Sequence, residues 1–105
     1  MLSIRRGTTP TITINITDDI DLAAIDAAYV SIQQDGEDVL DKGTSSLVID
    51  PSSHTIAVDF TQAETLSLAE GTGIIQLRIR LENQEAYVSA AQMILVLDVI
   101  RDGVI

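Results

Sequence analysis

Apolar side chains recur at every second residue along most of this chain, and that period most narrows the folds open to it. In residues 10–17, PTITINIT, Ile12, Ile14 and Ile16 alternate with Thr11, Thr13 and Asn15. In AYVSIQQ, Val30 and Ile32 point one way, with Tyr29, Ser31 and Gln33 pointing the other. HTIAVDF repeats the pattern with Ile56, Val58 and Phe60. GIIQLRIRLE sets Ile75, Leu77, Ile79 and Leu81 against Gln76, Arg78 and Arg80. A period of two puts alternate side chains on opposite faces of a strand. One-sided strands of this kind suit antiparallel sheets with one face in water.

Turn signals fall between these segments. Asp35-Gly36 is the dipeptide of a two-residue type I′ hairpin turn, in which both central residues need positive φ. DPSSH at 50–54 places Asp50 and Pro51 as a type I turn would. ENQE at 82–85 separates the arginine-bearing strand from AYVSAAQMILVLDVI, and Ser-Ala-Ala at 89–91 marks a bulge or break in that long stretch. Two segments leave the period. DDIDLAAID reads as an irregular crossing, with Leu22 and Ile25 dipping inward. TQAETLSL offers Thr61 as an N-cap and Glu64 three residues on, so a short helical turn is expected near 61–66, with Ala63 and Leu66 packed inward. The sum is about seven to nine short strands in one domain over 1–105: an all-β, immunoglobulin-like antiparallel β-sandwich, with a small barrel as the competing architecture.

Composition excludes several kinds of work. The chain has no Cys, which removes disulfides, thiol nucleophiles and thiolate metal sites. Its net charge of −10 opposes binding to nucleic acid and to anionic membranes. MLSIRRGTTP lacks the apolar stretch of a signal peptide, and no apolar run is long enough to span a bilayer, so a cytoplasmic product, or one released from the cytoplasm by lysis, is expected.

QDGEDVLDKG at 34–43 holds four carboxylates and two glycines within ten positions. An EF-hand loop starting at Asp35 would need an acid at its fifth position and Gly at its sixth; Val39 and Leu40 stand there. A hairpin tip is the better reading. Asp18, Asp19 and Asp21 form a second acidic cluster, which could share a hard cation with Asp35 if the two loops met at one end of the sandwich. No cofactor is expected. His54 lies beside Ser52, Ser53 and Asp50, but clustering inside one turn is not the geometry of a catalytic triad. AEGTGI precedes a strand rather than a helix and is no phosphate cradle. Phe60 alternates inward, leaving Tyr29 and Tyr87 as the aromatics a sugar could meet. Arg78 and Arg80 share one strand face. They either pair with acids across the strand or offer a contact surface to an acidic neighbour. The closing VIRDGVI carries Val99, Ile100, Val104 and Ile105, read first as a last core strand and second as a segment that docks on a partner.

RRGTTPTITINI, AAYVSIQQ, DFTQAETLSL, and IQLRIRLENQEAYVSA running to LDVIRDGVI resemble the small Ig-like proteins encoded in phages and prophages of Gram-positive bacteria. Those are similar to the N-terminal sandwich domain of phage baseplate upper proteins. GTTPT, TQAET and the closing DGVI carry the resemblance together. It implies a structural or assembly part of a tail or baseplate, not an enzyme, with no catalytic residues. Its partners would be other phage structural proteins and a second copy of this chain, and its location the cytoplasm before assembly and the virion after incorporation. Contacts would run through exposed edges and faces, with Arg78, Arg80, Val104 and Ile105 as candidates. The alternative is a binding module for a cation, a small ligand or a cell-surface glycan.

Overall fold

Every alternating segment becomes a strand. The structure, a computed structural model, describes residues 2–105. Among them the strands are β1 (Leu2–Arg5), β2 (Thr11–Asn15), β3 (Ile25–Gln34), β4 (Glu37–Lys42), β5 (Leu47–Asp50), β6 (Thr55–Asp59), β7 (Gly71–Leu81), β8 (Ala86–Val88) and β9 (Gln92–Leu97). One helical turn, α1 (Gln62–Leu66), links β6 to β7. The larger sheet runs β1-β9-β7-β3-β4, with β8 also on β7; the smaller runs β2-β6-β5. All pairs are antiparallel except β1 with β9. The chain crosses between sheets after β1, β2, β4 and β6. The two sheets, with their open edges, make an Ig-like β-sandwich rather than a closed barrel.

Burial follows the alternation. Val30 and Ile32 of β3, and Ile75, Leu77, Ile79 and Leu81 of β7, face Ile12 of β2 and Ile56 and Val58 of β6 across the interior. Phe60, Leu68, Ile20 and Leu22 fill the ends from the connections. Burial of each such side chain is worth about 1.5–3 kcal/mol by area, as an upper estimate. Ile25 is only half-buried and opens β3.

The predicted turns have the expected backbones. Asp35 (φ 54°) and Gly36 (φ 77°) join β3 to β4. Asp50 Oδ1 accepts from the amides of Ser52 and Ser53. Ser-Ala-Ala is the break between β8 and β9, both of which pair with β7. Ser89 bridges that break: its Oγ accepts from Leu77 N–H at 3.0 Å and its N–H donates to Leu77 O at 2.8 Å.

Two expectations are corrected. In α1 the capping box forms as predicted, with Thr61 Oγ1 accepting from Glu64 N–H and Glu64 Oε1 accepting from Thr61 N–H. The inward residues, however, are Thr65 and, beyond the turn, Leu68; Ala63 is exposed and Leu66 half-buried. The face of α1 that meets the chain at Gly7 and Thr8 needs a hydroxyl, since Thr65 Oγ1 donates to Thr8 O and accepts from Gly7 N–H. Secondly, the C-terminal residues 98–105 form no strand, and Ile100, Val104 and Ile105 are exposed. Strand pairing stops at Leu97, and past it the Arg6 side chain meets Asp98 at 2.7 Å and Asp102 at 3.4 Å. Arg6 also donates to Leu66 O and Leu68 O, so one guanidinium ties the tail to the segment after α1. The tail ends on Gln62, whose side-chain amide pairs with both backbone groups of Ile105.

Among the described residues no helix is long and apolar enough to cross a membrane.

Candidate functional site

The acidic candidates do not converge. Asp21 caps the 3-10 turn at Leu22–Ala24 through Ala23 N–H, just before β3 begins. Asp35 follows the last residue of β3. Ten residues of strand lie between them, about 30 Å at the usual rise, so Asp18, Asp19 and Asp21 sit at the opposite end of the sandwich from Asp35. Among the described residues no three His, Cys, Asp or Glu side chains are grouped to hold a metal ion. Each of these acids instead stands in a turn or crossing, where Asp is favoured for its local hydrogen bonds.

The 50–54 turn is not arranged as a triad. Asp50 is held by Ser52 Oγ–H at 2.7 Å and by the serine amides, which keep its carboxyl below the usual range. His54 faces away from it, with Nε2 3.0 Å from Asp18 O.

The outer face of the larger sheet is different in kind. Strand phase puts Ile74, Gln76, Arg78 and Arg80 of β7 outward together with Tyr29 of β3, Val88 of β8 and Met93 of β9. Register sets Ile74 opposite Met93, and Arg78 between Tyr29 and Val88. Tyr29 and Ile74 are 46% exposed and Val88 and Met93 54%, which leaves a broken apolar stripe in water across four strands. Arg80 pairs with Asp26 at 2.7 Å, an exposed cross-strand pair of the kind expected. Arg78 makes no ion pair among the described residues. Arg5 of β1 lies at the other end of the sheet, opposite Leu97, with its side chain on Asp98 O, so Arg78 and Arg80 are the cations of this face.

Of the residues singled out from sequence, Arg78 and Arg80 fall on this face. Val104 and Ile105 are exposed but belong to the tail beside α1, away from it. Sequence reasoning missed Ile74, Val88 and Met93. The signal was present for Ile74: once Ile75 and Leu77 are placed inward, Ile74 must point out. Tyr87 is half-buried and donates to Glu85 at 2.7 Å, a bond to a carboxylate that raises its hydroxyl pKa.

No protein-family model matches the chain, and no curated protein matches it. Similarity to solved structures is clear in shape. CopC from Methylosinus trichosporium OB3b is similar with a TM-score of 0.56 at 12% identity, over 93% of this chain and 86% of that one. The Ig-like domain of mouse leukocyte-associated immunoglobulin-like receptor 1, in a strand-swapped dimer, is similar with a TM-score of 0.51 at 20% identity, over 91% of this chain and 86% of that one. At these identities the likeness shows the Ig-like sandwich fold alone.

Proposed function

We propose that this chain is a structural or assembly component of a phage or prophage particle, of tail or baseplate type, acting through protein–protein contact and not as an enzyme. The sequence resemblance supports the phage setting. The observation that carries the contact function is the outer face of the larger sheet. Exposed apolar side chains there stand among arginines, in a chain whose net charge is −10. A grouped apolar surface rimmed by polar residues is the usual mark of an interaction site, and arginine is enriched in interface hot spots. Arg78, which makes no ion pair among the described residues, favours an acidic group opposite it on the partner, while Asp38 and Asp41 on the β4 side of the face favour a basic one, because complementary charge steers encounter and rejects wrong partners.

The test is mass spectrometry of purified particles from the source strain after prophage induction. The chain is expected in the particles at fixed copy number. Its presence in the lysate with absence from the particles would overturn the virion role. Substituting Ile74 and Met93 by Ser should abolish incorporation of an otherwise folded chain.

A further inference from the structure

We infer that the open edge of β2 is a second docking site, which receives an extended segment of a partner protein as an added strand. Among the described residues β2 has a neighbour on one side only, β6. The other side opens on a cleft of about 600 Å³ between the sheets. It is lined by Ile75 and Leu77 of β7, by Leu2 of β1 and by the break that follows β8.

The main chain of β2 is poised for pairing there. Phe60 N–H donates to Pro10 O and Ile16 N–H to His54 O, each at 3.0 Å. With Thr11 opposite Asp59 and Asn15 opposite Thr55, the even-numbered residues share their bonds with β6. Thr11, Thr13 and Asn15 therefore turn their N–H and C=O groups to the open side.

The remaining edges are blunted, and β2 is not. Four of the six residues of β4 are charged, and its pairing with β3 carries a bulge. β1 and β5 are four residues each, and β8 is three. β2 has five residues with no charge, proline or bulge. Exposed edges are normally defended by those devices, and an undefended edge beside an apolar cleft invites a strand.

The occupant follows from the lining. Residues facing the cleft must be apolar at alternate positions. Among the described residues that line it the ionisable one is Asp18, which has no cation partner among them, so the segment carries Lys or Arg at that end. A second copy's tail does not qualify. One face of VIRDGVI would present Arg101 and Gly103 between Val99 and Ile105, and the other Asp102 between Ile100 and Val104.

Amide hydrogen exchange of the intact chain tests this, with synthetic peptides of alternating Val and Thr that end in either Lys or Glu. The Lys peptide should slow exchange at Thr11, Thr13 and Asn15. The Glu peptide should do so less, with the difference lost in Asp18→Asn. Thr13→Pro should abolish the protection, since it removes an outward donor and no bond to β6. Absence of protection in the native chain overturns the proposal, whether or not the proline variant folds. So does protection that survives Thr13→Pro in a folded variant. Equal protection by both peptides overturns the assigned chemistry.

Discussion

Lys42 Nζ lies 2.7 Å from Glu64 Oε2, joining the last residue of β4 to the helical turn after β6. The pair closes one end of the sandwich over Phe60, whose ring centre is 5.8 Å from the ammonium. Both side chains are largely covered, at 12% and 25% exposure. Glu64 also accepts the Thr61 N–H, so one carboxylate serves a cap and a cross-sheet tie. Glu64→Gln or Lys42→Met should destabilise by about 1–2 kcal/mol, between the values for exposed and buried pairs, as read from urea unfolding.

The same carboxylate sets an acid limit. Burial pushes the Glu64 carboxyl up, but the Lys42 ammonium and the Thr61 N–H outweigh it, and its pKa lies below the ordinary 4.5. The folded state thus binds this proton less readily than the unfolded chain. Its contribution to stability is complete above that ordinary value and is lost as pH falls through the folded one. Wild type should lose more stability than Glu64→Gln between pH 6 and about pH 3; equal losses would contradict the assignment.

Arg6 should be irreplaceable by lysine. Its guanidinium reaches two carbonyls and two carboxylates, and an ammonium has neither the fork nor the span. Arg6→Ala and Arg6→Lys should both destabilise the fold and speed amide exchange along residues 98–105. Unchanged exchange in the tail would show that Gln62 suffices to hold it.

Two neighbouring positions on β7 should separate stability from contact. Leu77→Ala empties a buried site and should cost about 2–5 kcal/mol. Ile74→Ser, on the opposite face, should change stability by less than about 0.5 kcal/mol. Thermal melts of the two variants check this; a large loss for Ile74→Ser would mean that its role is structural.

Gly73 is needed for space rather than for a special φ. A Cβ there would stand 3.1 Å from Gln33 O and 3.3 Å from Ile94 Cγ1, and the first is backbone held by strand pairing. Gly73→Ala should cost about 1–3 kcal/mol. A neutral result in denaturant unfolding would show that β3 and β7 can part slightly at this end.

Millimolar calcium should leave the melting temperature unchanged, because the acidic loops lie at opposite ends of the sandwich. A calcium-dependent rise would reveal binding to the folded state and overturn this.

The local features were legible because their causes are local. Thr61 and Glu64 are three residues apart, the spacing a capping box requires. Asp35-Gly36 takes positive φ in any hairpin of that length. The phase of Ile75, Leu77, Ile79 and Leu81 sets both faces of β7, so Arg78 and Arg80 could be placed outward from the pattern alone. The helical turn was placed correctly but its inward face was not, because the face that packs depends on Gly7 and Thr8, more than fifty residues away in sequence.

What the sequence determined by itself is therefore the alternating strands β2, β3, β6 and β7, the side their residues take, and the turns at Asp35-Gly36 and Asp50-Pro51; β1 and β5 were not read from it. Periodicity and turn chemistry act within a few residues. Tertiary structure alone decided which strands are neighbours, and with that where the site candidates lie. Strand order brought Met93 beside Ile74 and left β2 open, while the length of β3 held the acidic loops apart. The tail shows the limit most directly. VIRDGVI has the apolar content of a last strand, yet it lies outside the sheet, and the residue before it, Asp98, is held by Arg6, ninety-two residues earlier. Nothing within the segment reports that partner, since the ion pair exists only once β1 and β9 lie side by side.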